Sequence, residues 1–156
     1  RLHPDRVQHI QLRQLDPLAM ARAFAVNAIG PALLLKHFLP LLPREGKAVF
    51  ATLSAKVGSI SDNALGGWIS YRASKAALNQ ILRTAAIEVA RRRPDQVLLA
   101  LHPGTVDTGL SRPFAKAGLE VQPPEVAAAR LLAVIDAAGP ADTGSFLSHR
   151  GERLPW

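Results

Sequence analysis

The sequence contains no cysteine, which excludes disulfides and thiolate chemistry and fits a reducing interior, so a cytoplasmic setting is the expectation. Aromatic residues are sparse: five Phe, two Trp and one Tyr in 156 residues. They are not interleaved with basic residues as a base-stacking platform requires. The net charge of +7 therefore does not point to nucleic acid. Its densest cluster, Arg91-Arg92-Arg93, falls at the end of a predicted helix, where cations complement the dipole and the last carbonyls. No apolar run reaches the ~18 residues of a membrane span. The longest candidate, Ala19 to Leu42, is broken by Arg22, Asn27, Pro31, Lys36, His37 and Pro40, and no membrane partner is expected. No secretory signal pattern opens the chain, which begins at Arg1 rather than methionine, suggesting a trimmed product or a missing true start. His3, His9, His37, His102 and His149 show no metal-ligand spacing, so no metal is expected, and His37 and His102 read as structural. Finally, none of the eleven glycines falls in a G-x-G-x-x-G or P-loop spacing.

What is present is a core-forming chain of one domain's length, 48% hydrophobic and without internal repeats. Residues 1–15 read as a polar lead-in loop with scattered apolar points at Val7, Ile10, Leu12 and Leu15. Asp16-Pro17 is a helix start, an Asp cap followed by proline at the first position. Apolar residues then follow helical spacing to about Leu42. The run Ala48 to Leu53 suits a strand buried on both faces, and a polar, glycine-bearing loop, 54–67, follows it. A long helix over 68–93 has a broad, alanine-rich face that permits close approach of another element. Val97 to Leu101 is a second buried strand, ending in His102-Pro103-Gly104-Thr105-Val106-Asp107-Thr108-Gly109. Residues 110–122 read as a mobile excursion. Pro123-Pro124-Glu125 starts a last helix, stopped by Gly139-Pro140, and Gly144 to Leu147 is a short closing strand. The tail Leu154-Pro155-Trp156 gives no reading of its own. Helix, strand, helix, strand, helix, strand is the back half of a doubly wound α/β parallel sheet. In such sheets ligands sit at the carboxyl ends of the strands.

Two local features carry chemistry. Tyr71 and Lys75 lie four residues apart, on one helix face. A cation beside a phenol favours phenolate, so the spacing predicts a Tyr71 pKa lowered toward neutrality, suited to proton transfer. Pro31 has no amide hydrogen, so the carbonyl of Asn27 loses its helical partner, a kink is expected there, and that carbonyl is left to bind water.

Taken in order, Asn27 within Val-Asn-Ala-Ile-Gly-Pro, the strand ending at Ser54, Tyr71-Arg-Ala-Ser-Lys75, and Pro103-Gly-Thr-Val-Asp-Thr108 resemble the short-chain dehydrogenase/reductase family. From about Asp16 onward the chain follows the C-terminal half of that Rossmann-like fold. The loop Val57 to Trp68 looks like the branch of C-factor and Sniffer-type carbonyl reductases. The resemblance implies carbonyl reduction or alcohol oxidation on a small-molecule substrate, with NAD or NADP as cofactor. Tyr71 would be the general acid, Lys75 would lower its pKa and hold the nicotinamide ribose, and the Asn27 carbonyl would bind a relay water. Tyr71, Lys75, Pro103, Gly104, Val106 and Thr108 would contact the nicotinamide end, and residues 54–67 and 109–122 would line the substrate pocket.

Two departures follow. Relatives usually carry Ser-Ser after this strand, with the second serine commonly catalytic, whereas here the pair is Ser54-Ala55. Either Ser54 takes the carbonyl-polarising role, or Ser59 does, or the role is weakened. The glycine-rich phosphate turn also lies outside the 156 residues, so this chain alone is expected to bind dinucleotide weakly or not at all. Residues 16–156 would then be the catalytic and dimerisation half, forming a homodimer or tetramer through helices 17–42 and 68–93. The alternative is an inactive remnant serving as an interaction module.

Overall fold

A computed structural model describes residues 12–108 and 120–156. The expectations for Val7, Ile10, His3, His9 and most of 110–122 lie outside these described residues.

Asp16 caps the first helix, α1 (Pro17–Phe24), by accepting the Leu18 amide at 3.0 Å, with Pro17 in the position where a missing amide costs nothing. The expected kink takes the form of a wide π turn over Ala25–Ile29, in which the Gly30 amide reaches back to the Ala25 carbonyl. The helix resumes as α2 (Gly30–Phe38), tightens to a 3-10 turn over Leu39–Leu41, and stops where Leu42 turns extended. The breaks read from the sequence therefore do not end the helix. Pro17–Leu41 runs on for 25 residues with a mean hydropathy of 1.6 in its most apolar window, long and apolar enough by composition to cross a membrane. It is also tied to the domain: Leu35 is buried in the core, Leu39 packs against that cluster, and Asn27 bonds to the central helix. Leu18, Val26, Ile29, Leu33, Leu34, Phe38 and Leu41 are exposed along Pro17–Leu41.

The strands β1 (Ala48–Leu53), β2 (Gln96–His102) and β5 (Ser145–Ser148) form one parallel sheet in the order β1-β2-β5. β2 is its centre and is buried from Gln96 to Leu101. Its period of two splits the core. Leu98 and Ala100 pack with Leu35, Leu82, Ala86 and Phe146 on one face; Val97, Leu99 and Leu101 pack with Ala138 and Leu147 on the other. β1 differs from the expectation of burial on both faces: only Ala48 is buried and Leu53 is exposed, because β1 is an edge strand among the described residues. Between β1 and β2 runs α3 (Ile69–Ala90), which supplies Leu78, Leu82 and Ala86 to the interior. Arg91-Arg92-Arg93 follows its end: the Arg92 and Arg93 amides donate to the Val89 carbonyl, and the Arg93 side chain donates at 3.0 Å to the Leu39 carbonyl of the neighbouring helical turn. Between β2 and β5 lies α4 (Pro124–Ala137). A two-residue parallel ladder, β3 (Thr105–Val106) with β4 (Val121–Gln122), was not read from the sequence. The tail folds back along β5: the Leu154 amide donates to the Phe146 carbonyl at 2.8 Å, and Trp156 stacks on the Phe146 ring.

Candidate active site

Parallel register brings three chain exits to one edge of the sheet. Leu53 pairs with Leu101 and His102 with Ser148, so Ser54, Pro103 and His149 all leave the strands at their carboxyl ends. α3 opens beside that edge, and its first two turns carry Tyr71 and Lys75.

The Lys75 ammonium donates to the Leu53 carbonyl at 2.9 Å and lies 6.0 Å from the centre of the Tyr71 ring. The expected lowering of the Tyr71 pKa is not what the structure has. Burial pushes the phenol's pKa up, and burial likewise lowers that of Lys75. Desolvation penalises the charged form of each, and it outweighs an ammonium already committed to a backbone carbonyl. Tyr71 is thus a protonated phenol at neutral pH.

Asn27 reaches this pair through a relay. Its carboxamide nitrogen donates to the Ser74 hydroxyl at 3.1 Å, and that hydroxyl donates to the Tyr71 carbonyl at 2.8 Å. Ser74 is fully buried and was not singled out by sequence reasoning, although a serine three residues after Tyr71 and one turn before Leu78 was its signal.

Both candidate serines are engaged. Ser54 is buried, takes the Leu101 carbonyl with its amide, and donates its hydroxyl to the Asn79 carboxamide oxygen at 2.6 Å. Asn79, one turn beyond Lys75, was also missed; a lone asparagine beside Leu78 and Leu82 on a core stripe was the legible sign. Ser59 donates to the Trp156 carbonyl at 3.1 Å and accepts the Asp62 amide at 3.1 Å. The loop that carries them lies hard against α3: a Cβ on Gly58 would stand 2.8 Å from the Lys75 Cβ and 3.0 Å from its carbonyl carbon. Only glycine allows that approach. Arg72 fixes the loop further, donating to the carbonyls of Val57, Gly66 and Gly67 and lying over the Trp68 ring.

The turn after β2 is built around Gln122. Its side chain donates to the Pro103 carbonyl at 2.6 Å and accepts from Arg130 at 2.9 Å, while its backbone carbonyl takes the Asp107 amide. Gly104 has φ +77°, and a Cβ there would meet Gln122 and His149 within 3.0 Å. Val106 sits in β3, and Thr108 follows at the limit of the described residues. His102, read as structural, accepts the Lys56 amide on Nδ1 at 3.3 Å. Burial, then the nearby charges of His149 and Lys56, lower its pKa to about 4. No group of three or more potential metal-binding side chains occurs among the described residues.

The neutral His102 has a consequence for stability. Above pH 6.5 neither the folded nor the unfolded chain protonates it. Between 6.5 and about 4 the unfolded chain takes up a proton that the folded chain refuses, so stability falls as pH drops through that window. Urea unfolding at pH 7 and pH 4.5 should show this residue's share as about 2 kcal/mol. His102→Gln should remove that share of the acid sensitivity; an unchanged pH dependence would refute the assignment.

Known proteins resemble this chain in sequence and in fold. The sequence profile of the family described as enoyl-(acyl carrier protein) reductase matches residues 5–147. The C-signal of Myxococcus xanthus is 34% identical over 146 residues, covering 93% of this chain and 83% of that protein. The 1-hydroxy-2-glutathionyl-2-methyl-3-butene dehydrogenase of Rhodococcus sp. (strain AD45) is 35% identical over 147 residues, covering 94% of this chain but 62% of its own. Among solved structures, the carbonyl reductase Sniffer of D. melanogaster shares the fold with a TM-score of 0.84 at 24% identity, over 96% of this chain and 62% of that one. The NADPH-bound carbonyl reductase from chicken fatty liver has a TM-score of 0.82 at 28% identity, over 96% and 62% of the two chains. The chain thus spans less than two thirds of the length of most of these relatives.

Proposed function

The chain belongs to the short-chain dehydrogenase/reductase family of oxidoreductases, and from that premise we propose that residues 16–156 are the catalytic and dimerisation half of an NAD(P)-dependent carbonyl reductase or alcohol dehydrogenase. The observation that carries this reading is the bonded set at the sheet's carboxyl edge: Asn27 to Ser74 to Tyr71, with Lys75 on the Leu53 carbonyl.

In the reduction direction Tyr71 gives its proton to the oxygen of a small-molecule carbonyl substrate. Its raised pKa keeps the phenol loaded at neutral pH, as a general acid requires. When Lys75 leaves the Leu53 carbonyl, its ammonium stabilises the phenolate that forms. Asn27 holds the relay water on its backbone carbonyl while its side chain, through Ser74, fixes the first turn of α3. Ser54 or Ser59 polarises the substrate carbonyl, Ser54 by giving up its bond to Asn79 or Ser59 by giving up its bond to Trp156.

The donor set of this edge, a phenol, an ammonium, a hydroxyl and the backbone of Pro103, Gly104, Val106 and Thr108, suits the nicotinamide ribose and carboxamide. When bound in its reduced form, NADH or NADPH would supply the hydride to the carbonyl carbon. The phosphate-binding turn lies outside these residues. The exposed apolar face of α1 and α2 supports a homodimer or tetramer through helices 17–42 and 68–93.

That same face supports a second reading, an interaction module without turnover. One pair of measurements separates the two. The full-length protein should consume NADPH or NADH on addition of aldehydes and ketones, and no consumption with any of them would overturn the enzymatic reading. Calorimetric titration of the 156-residue chain alone should show no tight binding of either nucleotide; micromolar affinity would overturn the division of labour proposed here.

A further inference from the structure

We infer that Trp156 is a positioning residue for the substrate side of the site, holding the loop after β1 in place from the far end of the chain. This rests on the reading of 54–67 as the substrate-side loop. The observations are independent of it. The Trp156 carbonyl accepts from the Ser59 hydroxyl at 3.1 Å, the Ser61 hydroxyl at 2.7 Å and the Ser61 amide at 3.2 Å. Its ring stacks on Phe146 with centroids 5.6 Å apart and 21° between planes. Phe146 is fully buried in β5, so the ring anchors the carbonyl to the sheet itself. The preceding residues are tied as well, by the Leu147–Arg153 bridge and the Leu154 amide on the Phe146 carbonyl.

Beyond Ser54 and Lys56, which bond to Asn79 and His102, the loop is held at two further places by different elements. Arg72 of α3 grips the carbonyls of Val57, Gly66 and Gly67, and Trp156 grips Ser59 and Ser61. Arg72 moves with Tyr71 and Lys75; Trp156 moves with β5. The loop's position relative to Tyr71 is set by both, and the Ser59 hydroxyl is directed by Trp156 alone among the side-chain and carbonyl acceptors it meets apart from its weak contact with Ser61. Loss of the stacked ring should leave Tyr71 and Lys75 in place while freeing Ser59 to Ser61.

Hydrogen exchange tests the mechanical claim without reference to activity. In Trp156→Ala the amides of Ser61 and Asp62 should exchange at least tenfold faster than in the parent protein, while those of Leu78 and Leu82 in α3 keep their protection. Trp156→Phe, which retains a ring for Phe146, should restore it. Unchanged protection at Ser61 and Asp62 in Trp156→Ala overturns the proposal, and so does equal loss throughout α3 in both variants, which would mark a merely structural residue. In the full-length protein, Trp156→Ala should raise KM for the carbonyl substrate severalfold, and an unchanged KM counts against positioning. Faster exchange in a protein that never turns over substrate would support the anchor and overturn the enzymatic reading, so the two failures are distinguishable.

Discussion

Tyr71→Phe should reduce carbonyl turnover by the full-length protein about a thousandfold, with the fold intact. The substitution removes one oxygen and keeps the buried ring, so packing at the start of α3 is preserved and far-ultraviolet circular dichroism should not change. What disappears is the phenol proton. Asn27 and Ser74 hold the backbone of Tyr71, and Lys75 holds the end of β1; neither can replace a phenol as proton donor. Because burial raises the pKa, the wild-type group is protonated throughout the neutral range. Reduction should therefore persist at neutral pH and decline only as alkali strips the phenol. Steady-state oxidation of NADPH or NADH measures the effect, and turnover within tenfold of the parent enzyme would remove Tyr71 from the mechanism.

Phe146→Ala should be the most damaging core substitution, lowering stability by about 3–5 kcal/mol. Phe146 is 1% exposed and packs with Leu35, Leu82, Ala86, Leu98 and Ala100, joining α2, α3 and β2 in one cluster. Truncation leaves a void between elements whose backbones are fixed by sheet register, so little collapse can fill it. Against a typical domain stability of about 5–15 kcal/mol this is a large fraction. Thermal unfolding should drop by roughly 10 °C for a chain of this size. A loss under about 1 kcal/mol would mean that the cluster repacks, contrary to the tight fit described.

How much of this was legible in the sequence differs from element to element. The buried strand β2 was plain because it is apolar on both faces, whatever lies beside it. β1 has a similar apolar run, but its burial depends on a neighbouring strand, and no periodicity reports a neighbour. Pro31 disclosed a disturbance near Asn27, since a missing amide is a covalent fact, and the apolar spacing carried the helix on to about Leu42; that the disturbance would be a π turn depends on packing against α3. The spacing of Tyr71 and Lys75 was equally readable, but the direction of the phenol's pKa was not. Spacing gives proximity of charge, whereas desolvation depends on everything that surrounds the ring, and here desolvation wins. The partners of Ser54 and Ser59 escaped for a related reason. Asn79 and Trp156 are 25 and 97 residues away in the chain, and only the folded sheet brings them within reach.

The two tryptophans fall at opposite ends of one loop. Trp68 adopts φ 48° at the entrance to α3 and lies 5.6 Å from the Arg72 guanidinium, while Trp156 lies on Phe146 and takes the hydroxyls of Ser59 and Ser61 on its carbonyl. Their indoles consequently occupy unlike surroundings, one beside a cation and one against an aromatic ring. Intrinsic fluorescence is thus already partitioned: with one indole replaced by phenylalanine, the emission of the other reports a single end of the loop, and the protein carries its own pair of probes for events at its substrate side.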